Sequence, residues 1–158
     1  MELKIIGSAI FLMVAFYQPM GAQDSAKKAT ITNKLSEKTY VFEASSVSPM
    51  RGGHKQLTIG YILKVKPDSV TCDLPYFGRA YQATPGSSEG GIKFISTKFE
   101  YSSAPRKKGG WEITIKPKDI TDVRQLFLTV FDNGNTTLNV SSNNRDPISY
   151  AGYIDTKN

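Results

Sequence analysis

From Thr39 onward, apolar residues recur at every second position in short runs, and each run stops at glycine, proline or asparagine. That period marks half-buried strands, because successive strand side chains point to opposite faces. No segment between the runs reads as a helix, so parallel strands joined by helical crossovers are excluded. What remains is an antiparallel meander.

Eight runs fit this description. They cover residues 40–44 (with a continuation toward Pro49), 57–66, 69–76, 92–101, 111–115, 124–131, 136–142 and 148–154. Pro67-Asp68 reads as a turn between the second and third, with proline at its favoured corner position. Asn133-Gly134 reads as a two-residue hairpin turn with positive φ at both central positions. Apolar residues fall on both faces of 92–101, which predicts a bulge near Ser96-Thr97. The expected fold is therefore all-β, a single antiparallel meander of about eight strands. It forms either a curled barrel-like sheet or a sandwich, and sequential strand neighbours favour the barrel.

The start of the chain has a different composition. Lys4 precedes an apolar run over 5–16, and Pro19, Gly21 and Ala22 follow as a small-residue exit. This pattern predicts a signal peptide over 1–22, cut after Ala22. The run is too short for a stable bilayer-spanning helix, so no transmembrane segment is expected after cleavage. No cysteine sits near the exit to carry a lipid. The expected location is periplasmic or secreted, as a soluble chain. Residues 23–38 are polar and lysine-rich and read as a leader with a short helix, and 39–158 as the all-β domain.

Cys72 is the only cysteine among 158 residues, so no internal disulfide can form and apolar burial must hold the fold. The formal charge is +6, but the lysines are scattered. The one basic run, Arg106-Lys107-Lys108, lies in a predicted hairpin loop and reads as solvated. With export and no recognition-module signature, nucleic acid is not an expected partner.

Residues 70–81 carry the most information about a site. Val70, Cys72, Leu74 and Tyr76 alternate with Thr71, Asp73 and Pro75, and Pro75 ends the strand because it cannot donate to a ladder. An aromatic corner follows. The candidate ligand or partner surface is Tyr76, Phe77, Arg79, Tyr81 and Trp111, where rings could stack on sugars and a guanidinium could hold an anion. The competing reading has these rings closing one end of the core. Arg145, in the turn Asn143-Asn144-Arg145-Asp146-Pro147, reads as a bracing residue.

The segments 74–82, 90–94, 108–113, 141–145 and 150–154 together resemble one family of exported gram-negative proteins, known as domain of unknown function 4251. The resemblance covers most of the chain after residue 22, in the same order. It implies an envelope location and transfers no catalytic residue.

The chemistry is bounded by what is missing from the sequence. One histidine (His54) and one cysteine give no metal-ligand spacing, so neither a metal nor another cofactor is expected. No nucleophile elbow occurs, hence no catalytic residue is assigned. Glu43, Asp73, Glu100 and Glu112 lie on predicted strands, as ordinary polar faces do. The sequence reads as a non-enzymatic binding or interaction module, with an envelope protein or glycan as its partner. The alternatives are a lipocalin-like carrier of an apolar ligand and a small hydrolase acting on envelope polymers.

Overall fold

The computed structural model describes residues 21–58, 60–80 and 90–156. The expected signal peptide lies almost wholly outside the described residues, as does Tyr81. One helix, α1 (Gly21–Ser36), precedes ten strands. These are β1 (Tyr40–Pro49), β2 (Lys55–Gln56), β3 (Ile62–Val65), β4 (Val70–Leu74), β5 (Ile92–Ser96), β6 (Phe99–Pro105), β7 (Trp111–Pro117), β8 (Val123–Val130), β9 (Asn135–Ser142) and β10 (Ile148–Ile154).

All pairings are antiparallel, in the order β5-β4-β3-β1-β10-β9-β8-β7-β6, with β2 paired to β1. The path holds an odd number of strands, so its two ends, β5 and β6, run in the same direction. They are joined through Thr97-Lys98 alone. They are thus two halves of one bent strand. Its first half pairs with β4 and its second with β7. Counted this way, and with β2 set aside, the sheet has the eight strands expected, nearly closed as a barrel. The predicted bulge near Ser96-Thr97 is this bend. Asp119 fixes it: one carboxylate oxygen accepts from Ser96 Oγ, and the other accepts from the amides of Thr97 (2.9 Å) and Lys98 (3.2 Å).

The alternation seen in the sequence becomes the core. Leu63, Val70, Leu74, Ile113, Ile115, Leu126, Leu128, Val130, Leu138, Val140 and Tyr150 all point inward with 0% exposure. Phe127, between them in sequence, faces outward and is half-buried. β1 departs from strict alternation where Ser46 and Val47 are both buried, because a bulge separates Ala44 from Ser46. Ala44 N donates to Tyr61 O, and Leu57 N to Ser45 O, so the strand passes from β3 to β2 at that point. Gly152 faces the bulge, and any Cβ there would strike Glu43 O.

Two local expectations need correction. The second run does not form one strand over 57–66: Gly60 takes φ +110, and only Ile62–Val65 remains regular. The Asn133-Gly134 turn has positive φ at Gly134 alone. Gly134 N donates to Phe131 O (2.9 Å) and Phe131 N to Asn135 O (2.8 Å), which is a three-residue loop whose glycine forms a bulge.

The leader is more regular than the sequence suggests. Asp24 in its first turn and Lys34 in its last complement the helix dipole. Thr39 N reaches Lys34 O (2.9 Å) and Lys38 N reaches Leu35 O (3.2 Å), with Lys38 at φ +53. This is a Schellman ending with lysine where glycine is usual. Ile31 and Leu35, four residues apart on one face, are buried in the core cluster. The helix covers the barrel end formed by the β8–β9 turn, the start of β1 and the β6 edge. Lys28 pairs with Asp132 at 2.9 Å, and Tyr101 Oη donates to Leu35 O at 3.3 Å.

Candidate functional site at the loop end

The barrel end opposite α1 is built by the β1–β2 hairpin, the exit of β4, the β7–β8 connection and the β9–β10 turn. Pro75 ends β4 as expected, and Tyr150 Oη donates to its carbonyl (2.7 Å). Tyr76 is half-buried and packs on the core, and its hydroxyl is shared between Arg79 O (2.8 Å) and Asp146 O (3.0 Å). Gly78 allows this turn, because a Cβ there would overlap the Tyr76 hydroxyl. Asp146 N in turn donates to Arg79 O (3.0 Å), and Ala80 bridges to Arg145.

Arg145 is the hub beneath this corner. Its side chain is 6% exposed, with Nε 3.2 Å from Asp122 Oδ2. That contact is a charge pair rather than an aligned hydrogen bond. Its Nη1 donates to Gly91 O (3.0 Å), and its guanidinium lies 5.1 Å from the Tyr76 ring centre. One cation thereby ties together the β9–β10 turn, the β7–β8 connection, the start of β5 and the exit of β4. The bracing role read from the sequence holds. A buried pair of this kind costs several kcal/mol when one partner is removed.

The predicted surface residues divide. Tyr76 belongs to the foundation. Phe77 points out with 43% exposure, and the Lys55 ammonium lies 4.6 Å from its ring centre. Arg79, two residues further along the chain, is also exposed. Trp111 does not join them. It pairs with Val130 at the helix end, half-buried against the core. The length of β9, about 26 Å at the usual strand rise, separates it from Tyr76. The sequence reading placed it nearby because a linear chain does not show which end of a strand faces which loop.

The sequence also missed Lys55 and Met50. Met50 is the second most exposed large hydrophobe described, at 63%, and sits at the tip of the β1–β2 hairpin. His54 closes that hairpin through Ser48 Oγ and Gln56 Nε2, both at 3.2 Å. The sequence signal was the pair Gly52-Gly53, which marked a loop but not its place against Phe77.

The remaining reactive groups are occupied. Cys72 is buried, and desolvation, then Asp73, pushes its thiol far above the ordinary range. Asp73, Glu100 and Glu112 face outward on three separate strands, each beside a cation: Lys93 (3.5 Å), Lys118 (2.9 Å) and Arg106 (3.5 Å). Among the described residues, no three histidine, cysteine or acidic side chains converge as metal ligands. Two clefts, of about 240 and 330 Å³, lie at the helix end, and the larger is lined by both Lys28 and Asp132. No described helix is long and apolar enough to cross a membrane.

The family model for a domain of unknown function, DUF4251, matches residues 22–154. The chain belongs to the DUF4251 family. A crystal structure of a DUF4251 family protein from Bacteroides eggerthii superposes with a TM-score of 0.63. That protein is 19% identical, and the match covers 84% of this chain and 89% of that one. This likeness shows a shared DUF4251 fold. No curated protein matches the sequence.

Proposed function

We propose that this DUF4251 chain is an exported, non-enzymatic binding module whose binding face is the loop end. The observation that carries the reading is the contrast at the exit of β4. Phe77 is presented to solvent beneath Lys55 and two residues before Arg79, while Tyr76, Asp146, Arg145 and Asp122 lock the backbone that holds it. An exposed aromatic ring on a braced support is an economical anchor, because little side-chain freedom is lost on binding. The signal-peptide pattern of residues 1–22 supports export to the periplasm.

The reading is tested by capture from envelope extract with the purified chain. Saturable retention that falls with Phe77→Ala, at an unchanged melting temperature, is the expected result. Retention indifferent to Phe77, Lys55 and Arg79 would overturn it.

The carrier reading finds little room inside. Inward side chains with 0% exposure border no water-sized void, since a void would leave them accessible area. The interior is filled by Phe42, Tyr150 and aliphatic residues, with Phe94 and Trp111 half-buried against them and Phe127 facing outward. The hydrolase reading needs two carboxyls facing one substrate, and Asp73, Glu100 and Glu112 stand on three different strands. Amide substitutions at these three positions, one at a time, should leave every property of the module intact.

A further inference from the structure

Charge is sorted at the loop end in a way that the composition does not reveal. Among its described acids, Asp122 is turned toward Arg145, Asp146 is buried, Asp119 is committed to the Ser96–Lys98 bend, and the outward-facing Asp73 and Glu100 are paired with Lys93 and Lys118. Three of its exposed cations, Arg51, Lys55 and Arg79, have no carboxylate partner among the described residues, unlike Lys93 and Lys118. The two exposed apolar side chains of this end, Met50 and Phe77, stand in the same two loops as those cations. The loops touch through the Lys55–Phe77 contact.

We infer that this face docks peripherally on an anionic lipid surface, with Met50 and Phe77 entering the headgroup boundary and Arg51, Lys55 and Arg79 meeting lipid phosphates. This rests on the binding-module reading and names its occupant. Charge complementarity selects an anionic partner, and apolar side chains at loop tips select a bilayer over a purely polar polymer. The sizes fit reversible attachment. Each basic residue near an anionic surface contributes about 1 kcal/mol, and two partly inserted apolar side chains add a few kcal/mol at most. A lysine stem can lie along the apolar layer while its ammonium stays with the phosphates, which matches Lys55 above the Phe77 ring.

The test is co-sedimentation of the purified chain with phosphatidylglycerol-rich vesicles and with pure phosphatidylcholine vesicles. Any leader is common to every variant compared. Partition onto the anionic vesicles alone is expected, weakened by high salt. It should fall at least roughly thirtyfold in Arg51→Glu/Arg79→Glu and also fall in Met50→Ser/Phe77→Ser, with melting temperatures unchanged. Lys107→Glu/Lys108→Glu makes the same charge change at the helix end and should bind as the parent does. No partition, equal partition onto both vesicle types, or equal loss in the helix-end variant would overturn the inference. Should the vesicles fail while Phe77 still governs capture of a soluble acidic protein, the membrane assignment falls and the binding-module reading stands.

Discussion

The two ends of this barrel are closed by different means. At the helix end, a secondary-structure element does the work. Ile31 and Leu35 of α1 enter the core, Tyr40 and Tyr101 face each other at 3.5 Å, and Lys28 neutralises Asp132. Burial, and then the neighbouring ring, pushes the Tyr40 hydroxyl well above its usual range, and hydrogen bonding from Lys28 holds Asp132 below its own. At the loop end no helix is available. A single arginine ties four connections, and Asp122 is spent on it. Closing an end with a helix leaves mixed charge at the rim. Closing it with an inward ion pair leaves Arg51, Lys55 and Arg79 at the rim without carboxylate partners among the described residues, and the proposed binding face rests on that difference.

The comparison can be broken most forcefully at Arg145. Arg145→Ala leaves Asp122 buried and uncompensated and should cost about 3–5 kcal/mol. That would lower the melting temperature by roughly 10–20 °C in a domain of this size. A fall of only a degree or two would mean that the loop end is not held by this pair. At the helix end, Gly134→Val should cost about 2–3 kcal/mol. Gly134 sits at φ +86, and its Cβ would come within 3.1 Å of Ile31 Cδ1. An unchanged melting curve would show that α1 does not seat on this turn.

A third, smaller effect is a pH dependence at the bend between the ends. The bonds from Ser96, Thr97 and Lys98 hold the Asp119 carboxyl at about 2, below its ordinary 3.8. The folded state therefore favours the ionised form. Its contribution is complete above pH 4 and is lost as pH falls toward 2. Thermal melts across that window should fall more steeply for the parent than for Asp119→Asn, and parallel curves would remove Asp119 from the account. The smallest effect on stability is expected at the surface itself, where Phe77→Ala should change stability by less than about 0.5 kcal/mol.

The strands were legible in the sequence because alternation reports burial directly. Val70, Cys72 and Leu74 point inward as read, and Asn133-Gly134 is a turn as read. What was not legible depends on distant partners. The handover from β4 to β7 at Thr97-Lys98 is held by Asp119, which no local pattern around Ser96 announces. The Arg145–Asp122 pair joins two loops that are unrelated in sequence. For the same reason the aromatic corner could be seen but not sorted. Tyr76 and Phe77 are adjacent and alike, yet one supports the backbone of Asp146 and the other faces solvent. Trp111 has the right chemistry but stands at the wrong end of its strand.

The most direct measurement is an amide hydrogen-exchange footprint of the chain with and without phosphatidylglycerol-rich vesicles. New protection confined to residues 48–56 and 76–80, with α1 and the β8–β9 turn unchanged, is the predicted outcome. Protection centred on the helix end, or none anywhere, would contradict the division of labour between the two ends.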